Sequence, residues 1–186
     1  QNEQTTLNFQ KLTHFKQGFI DIASSSARIL AISPDETKVL YEATASATLP
    51  ILIDPPLIGT NPTEEVRSIQ AGKLYVYDSR EDKNYFVLDR SELPTPAPKP
   101  KEAPVLPFYA ISTSVGWFPT SKHLLLTLQG KIDVMEYDRT NWTTVYAGPF
   151  VEGFVAPWPN GSRLVIVTNL NPSAGPLPNL YTVNLR

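Results

Sequence analysis

A short phrase that occurs three times constrains the fold of this chain more than any other feature. In each copy an apolar segment runs into a turn centred on proline, and a second apolar segment follows; the prolines are Pro34, Pro119 and Pro159. Proline presets φ for a turn, and Asn-Gly or Asp can occupy the position that needs a positive φ. We therefore predict that each phrase is a hairpin between two antiparallel strands.

The rest of the chain is dominated by short strand patterns. No window of a dozen residues keeps apolar side chains at helical spacing without a proline or a β-branched cluster, and only 7–15 is expected to form a helical turn or two. The predicted strands are 19–23, 27–32, 38–43, 73–78, 85–88, 110–117, 123–128, 132–137, 143–146, 154–158, 164–168 and 180–185. This pattern predicts an all-β fold.

Two of these strands begin and end alike. Gly72 and Gly130 precede them, and a Tyr-Asp pair ending at Asp78 or Asp138 closes them, with an offset of two residues between the copies. The offset predicts a bulge or a turn difference. Asp78 and Asp138 are expected to accept hydrogen bonds from the amides of the turns that follow.

Strand-built repeats of roughly 40 to 45 residues are typical of propeller blades. Pro34 lies about twice as far from Pro119 as Pro119 lies from Pro159, so the first unit must carry insertions. We predict an N-terminal segment (1–18) and blades at approximately 19–90, 108–147 and 148–186. A proline-rich connector, 91–107, favours extended polyproline II. Two further excursions are predicted at 44–71 and 169–178.

The segments 33–41 (SPDETKVLY) and 72–78 (GKLYVYD) resemble the WD40-like propeller repeats of bacterial proteins. Such repeats occur in the TolB propeller and in the propellers of prolyl-oligopeptidase-type peptidases, where a glycine stands at the position of Glu36. The resemblance implies a β-propeller-like array of about three four-stranded antiparallel blades, as a partial propeller or as half of a dimeric six-bladed ring. It also implies that 44–71, 91–107 and 169–178 emerge on one loop-rich face, opposite the rim that carries the proline turns.

Composition excludes several classes of function. The net charge is −2 without a basic run, which argues against a nucleic-acid partner. Cysteine is absent, so the chain has no disulfide, thiolate zinc site or cysteine nucleophile. No stretch approaches the roughly 20 apolar residues of a membrane span.

Few residues suggest chemistry at a site. His14 and His123 lie in no catalytic frame, and no G-x-S-x-G elbow occurs. The paired acids fall mostly at predicted turns or strand ends, where water is their natural partner. We therefore predict no catalytic residue, no metal site and no cofactor. Trp117 and Trp158 stand just before repeated prolines, and they suit either packing between blades or a platform for stacking sugars.

The apolar segment 49–58 is the predicted partner-binding site, and its candidate residues are Leu49, Ile51, Leu52, Ile53, Asp54, Leu57 and Ile58. The alternative is that this segment folds back over a blade and completes the core.

The predicted function is a non-catalytic scaffold of a bacterial envelope or surface protein that binds a protein or peptide through its loop-rich face. The alternatives are the substrate-gating propeller of a larger peptidase and a carbohydrate-binding module. Because closed propellers have about four to eight blades, a homodimer through open blade edges is also expected. The chain begins at Gln1, which suggests a processed or truncated product, and its expected location is extracytoplasmic, in the periplasm or at the cell surface.

Overall fold

The computed structural model describes residues 12–94, 114–151, 153–171, 173, 175 and 177–185. A helix, α1 (Gln17–Ser26), follows a short 3₁₀ turn at Leu12–His14, and a second 3₁₀ turn lies at Arg90–Glu92. The strands are β1 (Ala27–Ile32), β2 (Lys38–Ala43), β3 (Ala47–Thr48), β4 (Ser68–Ile69), β5 (Lys73–Asp78), β6 (Lys83–Asp89), β7 (Val115–Trp117), β8 (His123–Leu128), β9 (Lys131–Glu136), β10 (Thr143–Ala147), β11 (Val155–Pro157), β12 (Arg163–Thr168) and β13 (Asn179–Asn184).

The strands of the described residues form four separate antiparallel sheets, none of which closes on itself. Sheet 1 has the order β1-β2-β5-β6, sheet 2 has β7-β8-β9-β10, and sheet 3 has β11-β12-β13. A two-stranded ribbon, β3-β4, lies within the first insertion. The predicted all-β class is confirmed. Among the described residues, no helix combines the length and the apolar character needed to cross a membrane.

The strand predicted at 19–23 is wrong, because these residues lie inside α1. The helix buries Phe19 and Ala23, which are one turn apart and continue a stripe begun by Phe15. At the end of the helix the Ser24 hydroxyl donates to the carbonyl of Ile20, 2.7 Å away. This short, largely apolar segment suggested a strand, but the stripe four residues apart decides its structure.

The three proline turns have the same hydrogen-bonded geometry, and each joins two paired antiparallel strands. In every turn the amide two residues after the proline donates to the carbonyl of the residue before it, at 2.7 to 3.0 Å. The donating residue has a positive φ in each case: Glu36 at 57°, Ser121 at 60° and Gly161 at 70°. The predicted hairpins are therefore confirmed.

Sheets 1 and 2 also match in their third and fourth strands. The carbonyls of Gly72 and Gly130 accept bonds from the amides of Arg90 and Gly148, at 2.8 and 2.9 Å. Each ladder then shifts register at a corresponding position, after Leu74 of β5 and after Ile132 of β9. Because β5 and β9 are equally long, the two-residue offset seen in the sequence is a longer turn after β9.

The three larger sheets pack face to face in chain order. One face of sheet 1, including Leu40 and Val76, shares a core with Leu124 and Leu126 of sheet 2. The opposite face of sheet 2, including Leu125, shares a second core with sheet 3. Alternating residues of β8 thus point to different sheets, so sheet 2 is covered on both faces.

The other face of sheet 1 is covered by α1 and by the insertion that follows β2. Phe19 stacks on Tyr77, with ring centroids 4.1 Å apart, and meets the edge of Tyr41 at 5.9 Å. Leu49 and Ile69 of the insertion complete this third core. The stack of sheets is therefore capped at one end by a helix and a loop.

The proline turns lie side by side at one end of the strands, which we call the proline end. The amide of Asp35 donates to Ser121 Oγ in the next turn, 3.0 Å away. The turns that follow β5 and β9 lie at the same end, since the amides of Ser79 and Tyr137 each donate to the adjacent proline turn at 3.0 Å.

Candidate interaction sites

The insertion between β2 and β5 is held against sheet 1 by the carboxylate of Asp82. The amides of Leu52 and Ile53 donate to its Oδ2 at 2.5 and 3.0 Å, and the Tyr77 hydroxyl donates to Oδ1 at 2.9 Å. Asp82 is buried and adopts a positive φ of 52° in the turn after β5. Its carboxylate therefore fixes the backbone of residues 52 and 53.

A second side chain, Arg67, holds the preceding part of the same loop. Its guanidinium lies 3.4 Å from the Asp82 carboxylate and donates to the carbonyl of Pro50 at 2.7 Å. Glu65 pairs with the same guanidinium at 3.0 Å. Because these charges are paired and partly buried, they fix the loop more firmly than a solvent-exposed pair would.

The far part of the insertion is bound to sheet 2 through Asp138. Its Oδ2 accepts hydrogen bonds from Asn61 Nδ2 at 2.8 Å and from the Thr63 hydroxyl at 2.7 Å. Its Oδ1 accepts from the amide and hydroxyl of Thr140, as predicted for a turn carboxylate. Burial alone would raise the pKa of Asp138, but these bonds outweigh it and lower the pKa below its ordinary value.

The predicted partner-binding residues divide into a buried and an exposed group. Leu49 is 2% exposed and belongs to the core, and Leu52 packs against that core. Ile51 is 64% exposed, and Ile58 is fully exposed. The remaining predicted residues are Ile53, which is half-buried, and Asp54 and Leu57, which are exposed. The alternative that the segment completes the core therefore holds for Leu49 and Leu52, whereas Ile51, Asp54, Leu57 and Ile58 face solvent.

We call Ile51, Leu57 and Ile58 the apolar tip. From the resemblance, the insertion was expected to emerge on the face opposite the proline turns. That expectation is wrong for the segment that carries the tip, because the bonds to Asp82 and Asp138 draw residues 52–63 to the proline end. The connector 91–107 lies largely outside the described residues.

A small cavity of about 60 Å³ lies beside the tip. It is lined by Ile51, Ile53, Pro56, Glu65, Arg67, Glu81, Asp82 and Lys83. Pockets that enclose small molecules are typically about 300 to 1,000 Å³. The cavity therefore does not suit an organic ligand. Its lining shows instead that charged side chains lie directly beside the apolar tip.

The two candidate tryptophans occupy different environments. Trp117 is partly buried in the core between sheets 1 and 2, where it packs as the first alternative predicts. Trp158 is 48% exposed. The turn geometry makes Phe118, not Trp117, the equivalent of Trp158, and Phe118 is buried between sheets 2 and 3. The two indoles therefore do not form one stacking platform.

Sheet 3 presents an apolar surface that was not predicted from the sequence. Its face away from sheet 2 carries the half-buried side chains of Val165 and Val167 and the exposed side chains of Phe154, Trp158 and Leu180. The sequence signal that could have found this surface is that β12 carries apolar residues on both of its faces instead of alternating apolar and polar ones. Such a strand is expected to be covered on both sides.

The part of the chain that the structure describes shows no grouping of side chains with evident chemistry. His14 is exposed, and His123 Nδ1 lies 3.2 Å from the Thr120 hydroxyl. Within the described ranges, no three His, Asp or Glu side chains are grouped so that they could hold a metal ion. Comparisons of the chain with protein-family models and with curated proteins found no match.

Proposed function

We propose that this protein is a non-catalytic interaction scaffold and that the apolar tip binds a protein or peptide. One observation carries the proposal: three large apolar side chains stand in solvent on a loop that is held by partly buried hydrogen bonds to Asp82 and Asp138. Exposed apolar clusters commonly mark interaction sites. A loop that is already ordered loses little entropy when it binds.

The surroundings of the tip favour a polypeptide partner. Glu65, Glu81 and Lys83 lie beside Ile51 around the small cavity. Protein interfaces commonly combine an apolar centre with a polar rim that supplies hydrogen bonds. A partner with an aliphatic or aromatic anchor and a few polar groups would suit this surface.

We further infer that the three larger sheets are blades of a propeller-type array related to the WD40-like repeats. Three observations support this inference: the shared turn geometry, the matching register shifts in sheets 1 and 2, and the face-to-face packing in chain order. In this arrangement the tip projects from the rim that carries the proline turns.

The proposed function can be tested by quantitative affinity capture with a tip variant. The triple substitution Ile51→Ser, Leu57→Ser and Ile58→Ser removes the apolar side chains but leaves Asp82 and Asp138 in place. We expect proteins captured by the native chain to be lost with this variant, while the melting temperature changes little because the three side chains are exposed.

A matched control carries serine at Leu170 and Leu177, which are also exposed but lie after β12. This control is expected to capture the same proteins as the native chain. Equal capture by the tip variant and the native chain would contradict the proposed function.

A further inference from the structure

The cavity beside the apolar tip combines an aliphatic lining with a surplus of negative charge. Ile51, Ile53 and Pro56 supply the aliphatic part of the lining. The charged side chains that border the cavity are three carboxylates and two cations, so the lining has a formal charge of −1. A group that enters this cavity therefore meets both an apolar surface and a negative field.

Both cations of the lining already bind other groups. The Arg67 guanidinium pairs with Glu65 at 3.0 Å and with Asp82 at 3.4 Å. The Lys83 ammonium donates to the carbonyl of Asn61. An anion in the cavity would compete with these partners and would also face three carboxylates. The lining therefore disfavours an acidic group.

Two of the carboxylates can accept further hydrogen bonds. An ionised carboxylate has about four acceptor sites. The Glu65 carboxylate pairs with Arg67, but its Oε2 receives no hydrogen bond. Glu81 accepts from the amide of Asn61 at 3.0 Å and, among the described residues, forms no ion pair. A cationic donor between these two side chains would use the free acceptor sites and would neutralise the surplus charge.

The size of the cavity favours the end of a single lysine side chain. Its volume of about 60 Å³ corresponds to roughly two water molecules, since each occupies about 30 Å³ in the liquid. Lysine carries a compact ammonium on an aliphatic stem, whereas the guanidinium of arginine is planar and has a rigid fork of donors. Lysine stems commonly lie along apolar surface while the ammonium contacts polar groups.

We propose that this cavity receives a lysine side chain of the polypeptide that the apolar tip binds. The stem of this lysine lies against Ile51 and Ile53, and its ammonium lies between the carboxylates of Glu65 and Glu81. The inference rests on the proposed function of the tip and adds the chemistry of the partner. The bound segment carries a lysine next to its apolar anchor.

Single-residue probes can test this subsite without knowledge of the partner. The probe is Nα-acetyl-lysine N-methylamide at pH 7, and the corresponding norleucine, arginine and glutamate compounds are compared with it. Methyl NMR spectra of the isoleucine-labelled chain report binding, because Ile51 and Ile53 line the cavity whereas Ile58 does not. We expect the lysine compound to shift the Ile51 and Ile53 methyl signals with a Kd at least about fivefold below that of the norleucine compound. The Ile58 signal should shift less.

A pair of charge-removing variants provides the matched comparison. Glu65→Gln with Glu81→Gln removes two charges of the lining but keeps acceptor oxygens for Arg67 and Asn61, and it should abolish the preference for lysine. Asp54→Asn with Glu64→Gln removes two charges from exposed positions of the same insertion outside the cavity, and it should leave the preference unchanged.

Four results would each overturn the proposal. They are equal binding of the lysine and norleucine compounds, tighter binding of the arginine or glutamate compound, a preference for lysine that survives Glu65→Gln with Glu81→Gln, and an equal loss of preference in both variants. The last result would mean that the general charge of the insertion, and not the cavity, attracts the ammonium.

Failure of this inference can be distinguished from failure of the proposed function, because the capture experiment with the tip variant uses no lysine probe. Loss of capture by the tip variant without a preference for lysine would overturn the lysine subsite and leave the scaffold function in place. A preference for lysine together with equal capture would overturn the proposed function, and with it the assignment of the lysine to a partner of the tip.

Discussion

At the scale of single residues, the carboxylate of Asp82 joins segments that are far apart in the chain. It accepts bonds from the amides of residues 52 and 53 and from Tyr77, and it pairs with Arg67. Asp82→Ala would leave these donors without their acceptor and Arg67 without a partner for its charge. We expect the free energy of unfolding to fall by about 3 kcal/mol in urea titrations.

The matched substitution Glu64→Ala, at an exposed acid of the same insertion, should change the free energy of unfolding by less than about 0.5 kcal/mol. Asp82→Asn keeps an acceptor oxygen and should lie between the two. Equal losses for Asp82→Ala and Glu64→Ala would show that the carboxylate does not hold the loop.

The contribution of Asp138 to the stability of the fold depends on pH. Burial opposes its ionisation, but the bonds from Thr140, Asn61 and Thr63 lower its pKa below 3.8. A carboxyl group whose pKa is lower in the folded state stabilises the fold above its unfolded pKa of about 4 and loses this effect as the pH falls through the folded value. Asp138→Asn should therefore lower the free energy of unfolding most at pH 7, and this loss should shrink below about pH 4. Unfolding titrations from pH 2 to pH 7 would measure it, and a loss that does not vary with pH would contradict this account.

At the scale of elements, α1 replaces a neighbouring sheet as the cover of sheet 1. Phe19 is the centre of this contact, since it is buried and stacks on Tyr77. Phe19→Ala should lower the free energy of unfolding by about 3 to 5 kcal/mol, because it creates a cavity beneath the helix. Ser24→Ala, on the exposed side of the same helix, should change it by less than about 0.5 kcal/mol. Chemical denaturation of both variants would test the difference, and similar values would exclude the helix as a structural cap.

The proline turns offer a test at a matched position. Glu36 and Gly161 occupy equivalent places with φ of 57° and 70°, a region that disfavours residues with a Cβ atom. Glu36→Gly should raise the free energy of unfolding by roughly 0.5 to 1 kcal/mol, and Gly161→Ala should lower it by a similar amount. Thermal denaturation would measure both changes. If both substitutions stabilised the protein, the positive φ at these two positions could not be what disfavours residues with a Cβ atom.

The elements that were predicted correctly depend on local signals. The bounds of β1, β2, β5 and β8 match those expected from apolar runs bordered by Pro, Gly and Asp. The helix was missed because its apolar stripe is short and the β-branched residues Ile20 and Ile22 lie within it. Asp133 lies inside the predicted strand 132–137 and was not singled out, but it is fully buried and accepts bonds from Lys131, Trp142 and Thr144.

The position of the apolar tip could not be predicted for a different reason. It depends on bonds between residues far apart in the chain, such as Leu52 with Asp82 and Asn61 with Asp138. No pattern within a window of sequence contains these pairs. The sequence therefore identified the apolar segment but not which of its side chains would face solvent, nor at which end of the sheets.

At the scale of the whole molecule, the stack has unequal ends. Sheet 1 is covered by α1 on one face and by sheet 2 on the other, whereas sheet 3 contacts the stack through one face within the described residues. Elements with fewer buried contacts open at lower free energy. Sheet 3 is therefore expected to open before sheet 1.

A substitution between sheets 2 and 3 tests this order of opening. Leu125 is buried in that interface and faces away from sheet 1. Leu125→Ala should speed hydrogen exchange at the amides of β12 by about 30-fold or more, since a cavity of this kind costs at least about 2 kcal/mol. Amides of β2 and β5 should exchange at nearly their original rates, because their contacts with α1 and sheet 2 remain. The control Leu170→Ala, at an exposed site after β12, should alter neither set. Equal acceleration in sheets 1 and 3 would mean that the stack opens as one cooperative unit, and the unequal ends would then have no effect on its stability.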